Sequence, residues 1–147
     1  MNISEFWHPY GSQLVISAAL GALIGLEREL SGKDPSLRTF ALISLGSCIF
    51  SIVSVVSVSG ILHGDPSRVA AQIVTGIGFL GAGTIFRSEN GITGLTTATL
   101  IWCTAGIGMA VGFGYIELAV SATVVSVGCM YLLKLFHRLL NLAKRKV

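Results

Sequence analysis

The chain has 147 residues, enough for one domain, but its composition departs from that of soluble domains: 52% is apolar and only 12% is Asp, Glu, Lys or Arg, against about 25% charged in a typical soluble domain. Eighteen glycines with three prolines and no Gly-x-y period exclude collagen and a loose linker. The three cysteines, Cys48, Cys103 and Cys129, lie in apolar stretches without a CxxC spacing, which excludes a disulfide scaffold or zinc ribbon and reads as small packing residues.

Phe6 to Leu26 carries no Asp, Glu, Lys or Arg, and neither do Thr39 to Gly64, Val69 to Phe86, Asn90 to Ile116 and Leu118 to Leu133. About 20 mostly apolar residues cross the hydrocarbon core as a helix. The last stretch is short, but Lys134 can snorkel and Leu135 and Phe136 extend it. Five spans are therefore expected, at about 12–29, 38–61, 68–87, 95–113 and 116–136, in one transmembrane domain over 1–147. The expected fold class is an all-α polytopic membrane protein. Helices satisfy their own backbone groups in lipid, and the short alternating segments of a barrel are absent. Residues Met1 to Trp7 hold no Lys or Arg, unlike the basic start of a signal peptide, so the first span reads as retained.

Orientation follows from the cations. With the N-terminus periplasmic, nine Lys and Arg fall on the cytoplasmic side (28, 33, 38, 87, 134, 138, 144, 145 and 146) and only Arg68 outside. That is the positive-inside pattern. Lys144-Arg145-Lys146 then reads as an anchor to anionic headgroups, so the lipid bilayer is an expected partner and nucleic acid is not. A shift of 58 residues aligns Gly25 with Gly83, Leu37 with Leu95, Thr39 with Thr97, Leu42 with Leu100 and Ile43 with Ile101, a faint parallel repeat of the kind some transporters carry.

The glycines read as packing surfaces. Gly76-Ile77-Gly78-Phe79-Leu80-Gly81 spells GxGxxG, but a dinucleotide site needs a strand before it and an acid about 20 residues on; here it lies inside a span and Ile101 holds that place. The overlapping Gly78 to Thr84 run lacks the phosphate-loop lysine. Small residues instead let membrane helices approach closely. The expected packing positions are Gly21, Gly25, Gly76, Gly78, Gly81, Gly83, Gly108 and Gly112, enough small surface on several spans to predict a homodimer or larger homo-oligomer.

Two polar clusters are expected. On the cytoplasmic side Glu27, Arg28 and Glu29 end the first span and Arg38 and Thr39 open the second, with Gly32, Asp34 and Pro35 between them; a short loop brings Glu27 or Glu29 toward Arg38, since charge at membrane depth is usually paired. On the periplasmic side Asp65 suits a cap and Pro66 a first turn. Arg68 and Gln72 share a face, and Glu117 opens the fifth span on the same side. Thr96 and Thr97 read as hydroxyls that bond to helix carbonyls. His8, His63 and His137 are spread over both sides, and no HExxH or GxSxG set is present, so no catalysis is expected. No cofactor is expected either. A magnesium site needs as few as one or two carboxylates plus water, so the sequence neither assigns one nor excludes it.

Gly25-Leu-Glu-Arg-Glu29, Leu37-Arg-Thr39, the block Asp65-Pro-Ser-Arg-Val-Ala-Ala-Gln-Ile-Val-Thr-Gly-Ile-Gly-Phe-Leu-Gly-Ala-Gly83, Gly94-Leu-Thr-Thr-Ala98 and Trp102 resemble the MgtC/SapB membrane-protein family over about residues 11 to 117. Two positions depart from its pattern: Ser36 stands for a Gly and Phe40 for a His. The chain resembles the short SapB-like members, without the soluble C-terminal domain of MgtC. The resemblance implies a multi-pass protein of the bacterial inner membrane, linked to growth under magnesium limitation and, in pathogens, to intracellular survival. It implies action by binding other membrane proteins, such as the ATP synthase or ion transporters, with transport of magnesium or another cation as the alternative.

Overall fold

A computed structural model describes residues 10–89 and 91–144. Among them are five helices, α1 (Ser12–Leu30), α2 (Leu37–Ser57), α3 (Ser67–Ala82), α4 (Leu95–Gly112) and α5 (Ile116–Lys144), and one hairpin of β1 (Phe86–Ser88) and β2 (Gly91–Thr93). The strands run antiparallel, with Phe86 opposite Thr93 and Ser88 opposite Gly91. The architecture is thus mainly helical, with a small strand pair that the all-α expectation lacks.

Among the described residues three helical segments are long and apolar enough to cross a membrane: Leu37–Ser57, Leu95–Gly112 and Ile116–Phe136. Helix α1 has the length, but Glu27, Arg28 and Glu29 all fall in its last turns. The expected span 68–87 ends early, at Ala82. At about 1.5 Å per residue, such a helix is shorter than the roughly 30 Å hydrocarbon core. Hydropathy runs on through Ile85 and Phe86, but the backbone turns at Gly83 and Thr84, where the Thr84 hydroxyl donates to the Gly81 carbonyl at 2.8 Å and Phe86 enters the hairpin. The expected span 38–61 likewise stops at Ser57.

Helices α2 and α4 form the middle of the bundle. Helix α2 packs against α1, α3 and α4, and α4 also meets α1, α3 and α5. The core joins Leu20 and Ile24 of α1, Phe40 and Cys48 of α2, Ile73 and Ile77 of α3, and Leu100, Ile101 and Val111 of α4. Through α2 runs a buried stripe of small hydroxyls, Ser44, Ser47, Ser51 and Ser54, while Leu42, Ile49, Phe50 and Val53 of the same helix face outward. That inside-out pattern suits lipid, where a helix gains nothing by hiding leucine and gains contact by packing small residues. The Ser44, Ser51 and Ser54 hydroxyls have hydrogen-bond partners inside the bundle. Ser17 and Ser44 share a hydrogen bond of 2.9 Å, Ser51 donates to the Ser47 carbonyl at 2.8 Å, and Ser54 donates to the Pro66 carbonyl.

The glycines divide into two sets. A Cβ on Gly21 would lie 2.5 Å from the Phe40 carbonyl oxygen, one on Gly25 2.5 Å from the Leu37 Cα, and one on Gly112 2.6 Å from the Cys48 carbonyl oxygen. One on Gly108 would run into the Ser44 backbone. These four let α1 and α4 lie directly on α2. Gly81 meets Ala98 at an ordinary 3.5 Å, and Gly83 meets only the end of its own helix. Gly76 and Gly78 face open space, so the expected glycine pavement on α3 makes no internal helix contact there.

Candidate functional site

One end of the bundle gathers the C-terminus of α1, the loop to α2, the hairpin, the start of α4 and one side chain of α5. Arg28, on the last turns of α1, is buried. Its Nη2 donates to the Thr97 hydroxyl at 2.6 Å and reaches the Asp34 carbonyl oxygen at 3.4 Å, while its Nε has no partner. Glu27 is also buried, 6% exposed. Its Oε1 accepts from the Ser31 hydroxyl at 2.8 Å and its Oε2 is unpartnered. Ser31 in turn accepts from the Lys134 ammonium at 2.9 Å, so a chain of hydrogen bonds ties α5 to the end of α1. Glu29 accepts from the Leu37 N–H at 3.3 Å, taking one of the first-turn donors of α2 that a helix start leaves without a carbonyl.

The cytoplasmic cluster of the sequence reading is therefore assembled in part. Glu27, Arg28 and Glu29 are engaged, but Arg38 and Thr39 are exposed and no ion pair joins Arg38 to either glutamate among the described residues. The reason is angular. Leu37 lies under Gly25 at the α1 contact, and the next residues turn outward before Phe40 returns to the core. Thr97 takes the place expected of Arg38: it holds the buried charge from α4 rather than bonding to a carbonyl. Asp34, Ser31 and Lys134 were also missed as cluster members. Lys134 was expected only to snorkel, and no sequence signal ties it to a serine 103 residues away.

The periplasmic cluster is not assembled. Asp65 Oδ1 accepts from the Ser67 N–H at 2.9 Å and the Ser67 hydroxyl at 2.6 Å, but the N-cap of α3 is Pro66, so Asp65 stands one residue before the expected cap position and Pro66 lies outside the first turn. These two bonds, with a minor contribution from the Arg68 charge, hold its carboxyl below the usual carboxylate range. Arg68, Gln72 and Glu117 are exposed, and among the described residues no hydrogen bond links them to Asp65 or to one another. The buried face of α3 runs through Ala70, Ile73 and Ile77. Gln72 lies beside that face, in an open groove between α2 and α3 that encloses about 690 Å³ and is lined by Leu42, Phe50, Ile73, Gly76 and Leu80. Among the described residues no three His, Cys, Asp or Glu side chains are placed to hold a metal ion. His8, the side chain of His137 and the cationic tail 144–146 lie outside the described side chains.

No solved structure matches the chain. YhiD of Escherichia coli K12 is 44% identical over 132 residues, covering 86% of this chain and 60% of its own length. A Haemophilus influenzae protein is 46% identical over 121 residues, covering 78% and 51%. Protein MgtC of Salmonella typhimurium LT2 is 44% identical over 117 residues, covering 80% and 49%. The chain thus spans between about half and three-fifths of the length of these relatives. The MgtC family model matches residues 14–139, which hold the α1 charge cluster, the α3 block and nearly all of the described bundle: the chain belongs to the MgtC family.

Proposed function

We propose that the chain is a regulatory protein of the bacterial inner membrane, tied to adaptation to magnesium limitation and, in pathogens, to intracellular survival. It acts by binding other membrane proteins such as the ATP synthase or ion transporters. In this reading residues 1–147 form one domain that crosses the bilayer five times, with a periplasmic N-terminus and a cytoplasmic C-terminus. The charges Glu27, Arg28 and Glu29 close its inner end, and Arg38 and Thr39 meet headgroups.

The groove between α2 and α3 carries the proposal. Its walls are apolar, Gly46 and Gly76 leave its floor without side chains, and Gln72 is an unpaired amide set into it. An amide in hydrocarbon costs free energy unless something bonds to it. A transmembrane helix of a partner, laid in the groove with a polar group opposite Gln72, fills the volume and supplies that bond. Self-association belongs to the same reading, through the open glycine Gly78 beside it.

A photo-crosslinker at Phe50 or Leu80, in the native membrane, tests the proposal. The expected product is an adduct with a subunit of the ATP synthase or an ion transporter, lost when Gly76→Phe fills the groove. Adducts with lipid alone, or adducts indifferent to Gly76→Phe, overturn it; adducts only with a second copy reassign the groove to self-association. One observation favours a second reading, an ion transporter or channel. Glu27 keeps a buried, unpartnered carboxylate oxygen, and the name of YhiD assigns that protein provisionally to magnesium transport.

A further inference from the structure

At the charged end of the bundle lies a cavity of about 510 Å³, separate from the groove between α2 and α3. Arg28, Lys33 and Asp34 line it from the α1 side, Thr84 from the end of α3, and Gly94 and Thr97 from the start of α4. We propose that this cavity binds the phosphoryl group of a phosphate-class anion, carried either by an anionic lipid headgroup or by a free phosphate.

Three observations converge on it. The first is Arg28, 5% exposed and on the cavity wall. All of its hydrogen bonds run through Nη2, and its Nε has none. A guanidinium presents five donors in a planar fork that matches phosphate oxygens, so a buried one that spends a single nitrogen holds unused donor capacity beside an empty volume. Its bond to Thr97 also fixes that fork against the first turn of α4.

The second observation is the direction of the backbone. Helix α4 has 18 residues, begins at Leu95 after Gly94, and has no side-chain cap. Gly94 and Thr97 at its start line the cavity, which puts the positive end of its dipole at the cavity wall, an arrangement that suits an anion. Gly94 is at φ +87°, and a Cβ there would run into the Thr84 carbonyl, so only glycine lets the hairpin fold back this closely on the helix start. The negative ends of the two helices that finish here are already occupied. The Glu27, Arg28 and Glu29 carbonyls accept from Ser31, Lys33 and Gly32 N–H groups, and the Phe79, Gly81 and Ala82 carbonyls from Gly83, Thr84 and Ile85.

The third observation is charge. Arg28, Lys33 and Asp34 are the charged side chains of the lining. Asp34 directs its carbonyl, at 3.4 Å, to Arg28, and the formal balance of the lining side chains is one positive charge. A cation would meet Arg28, Lys33 and the α4 dipole together. A phosphoryl group meets them with opposite sign, opposed only by the Asp34 carboxylate.

The test uses the full chain purified in a neutral detergent. One arm measures retention of inorganic phosphate by equilibrium dialysis. The other measures, by native mass spectrometry, lipid retained after extraction from phosphatidylcholine vesicles with and without phosphatidylglycerol. Saturable retention of phosphate identifies a free anion, and selective retention of phosphatidylglycerol identifies a headgroup. Arg28→Lys keeps the charge but removes the fork and weakens retention roughly tenfold. Lys33→Glu, on an exposed loop residue, weakens it by a factor of about three or more without changing the thermal midpoint. If Arg28→Lys does not fold, Lys33→Glu decides alone. Retention of neither probe, or equal retention by a folded Lys33→Glu protein, overturns the proposal.

Discussion

Arg28 and Arg38 show why position in a sequence does not fix what a charge does. Both border the same short loop, yet Arg28 is buried against Thr97 and Arg38 is exposed. Truncating a buried donor strands its partner, and a hydrogen bond to a charged group is worth about 1.5–3 kcal/mol. Arg28→Ala is therefore expected to lower stability by about that amount, and Thr97→Val by at least about 1 kcal/mol. Arg38→Ala should stay within about 0.5 kcal/mol of the parent, as surface substitutions do. Thermal unfolding of the three variants in mild detergent checks the order. Equal losses for Arg28→Ala and Arg38→Ala would mean that the two arginines share one environment. The presence of a charged end on α1 is legible from Glu27-Arg28-Glu29 alone. The Arg28–Thr97 bond is not, because it joins residues 69 apart and depends on how α4 lies on α1.

At the scale of elements, the expected helix starts lie within one residue of those observed. The expected starts at 95 and 116 coincide with those of α4 and α5. The end of α3 was hidden, because Ile85 and Phe86 prolong the hydropathy past the turn. The serine stripe of α2 was hidden too: averaged over a span, Ser44, Ser47, Ser51 and Ser54 vanish among the apolar residues around them. Glycine roles divide by contact and not by motif. Gly25→Leu and Gly108→Leu push side chains into α2 backbone, and overpacking of this kind costs about 1–3 kcal/mol or more. Gly78→Ala meets no atom within 4 Å and should gain up to about 1 kcal/mol from helix propensity. Thermal midpoints of the three variants, measured on the monomer, test the division; a destabilised Gly78→Ala monomer would place that glycine in a contact within its own chain. For α3, the Asp65 carboxyl lies below its usual range because Ser67 donates to it twice. The contribution of these two bonds is present above the unfolded pKa and is lost as pH falls through the lowered folded value. Protection of the Ser67 amide, taken as its exchange rate relative to the unfolded rate at the same pH, should fall on acidification over that range, and Asp65→Asn should flatten the dependence.

For the whole molecule, the arrangement of five helices around α2 and α4 explains how a chain so poor in charge stays folded. Serine and threonine side chains are buried in contacts beside a small aliphatic core, and many further aliphatic residues are left outside. The proposed topology requires reporter fusions to be periplasmic after residue 64 and cytoplasmic after residues 33 and 90; the reverse pattern would exchange the two ends. Self-association, if it uses the open face of α3, should give a dimer mass in mild detergent that Gly78→Leu reduces to a monomer. The claim on which the functional account turns is that the bundle regulates partners and does not itself conduct ions. Purified protein in liposomes loaded with a magnesium-sensitive dye tests it most directly. The account predicts magnesium entry no faster than in protein-free liposomes, for the parent and for Glu27→Gln alike. Entry that is saturable and abolished by Glu27→Gln would contradict it and make Glu27 part of a transport path.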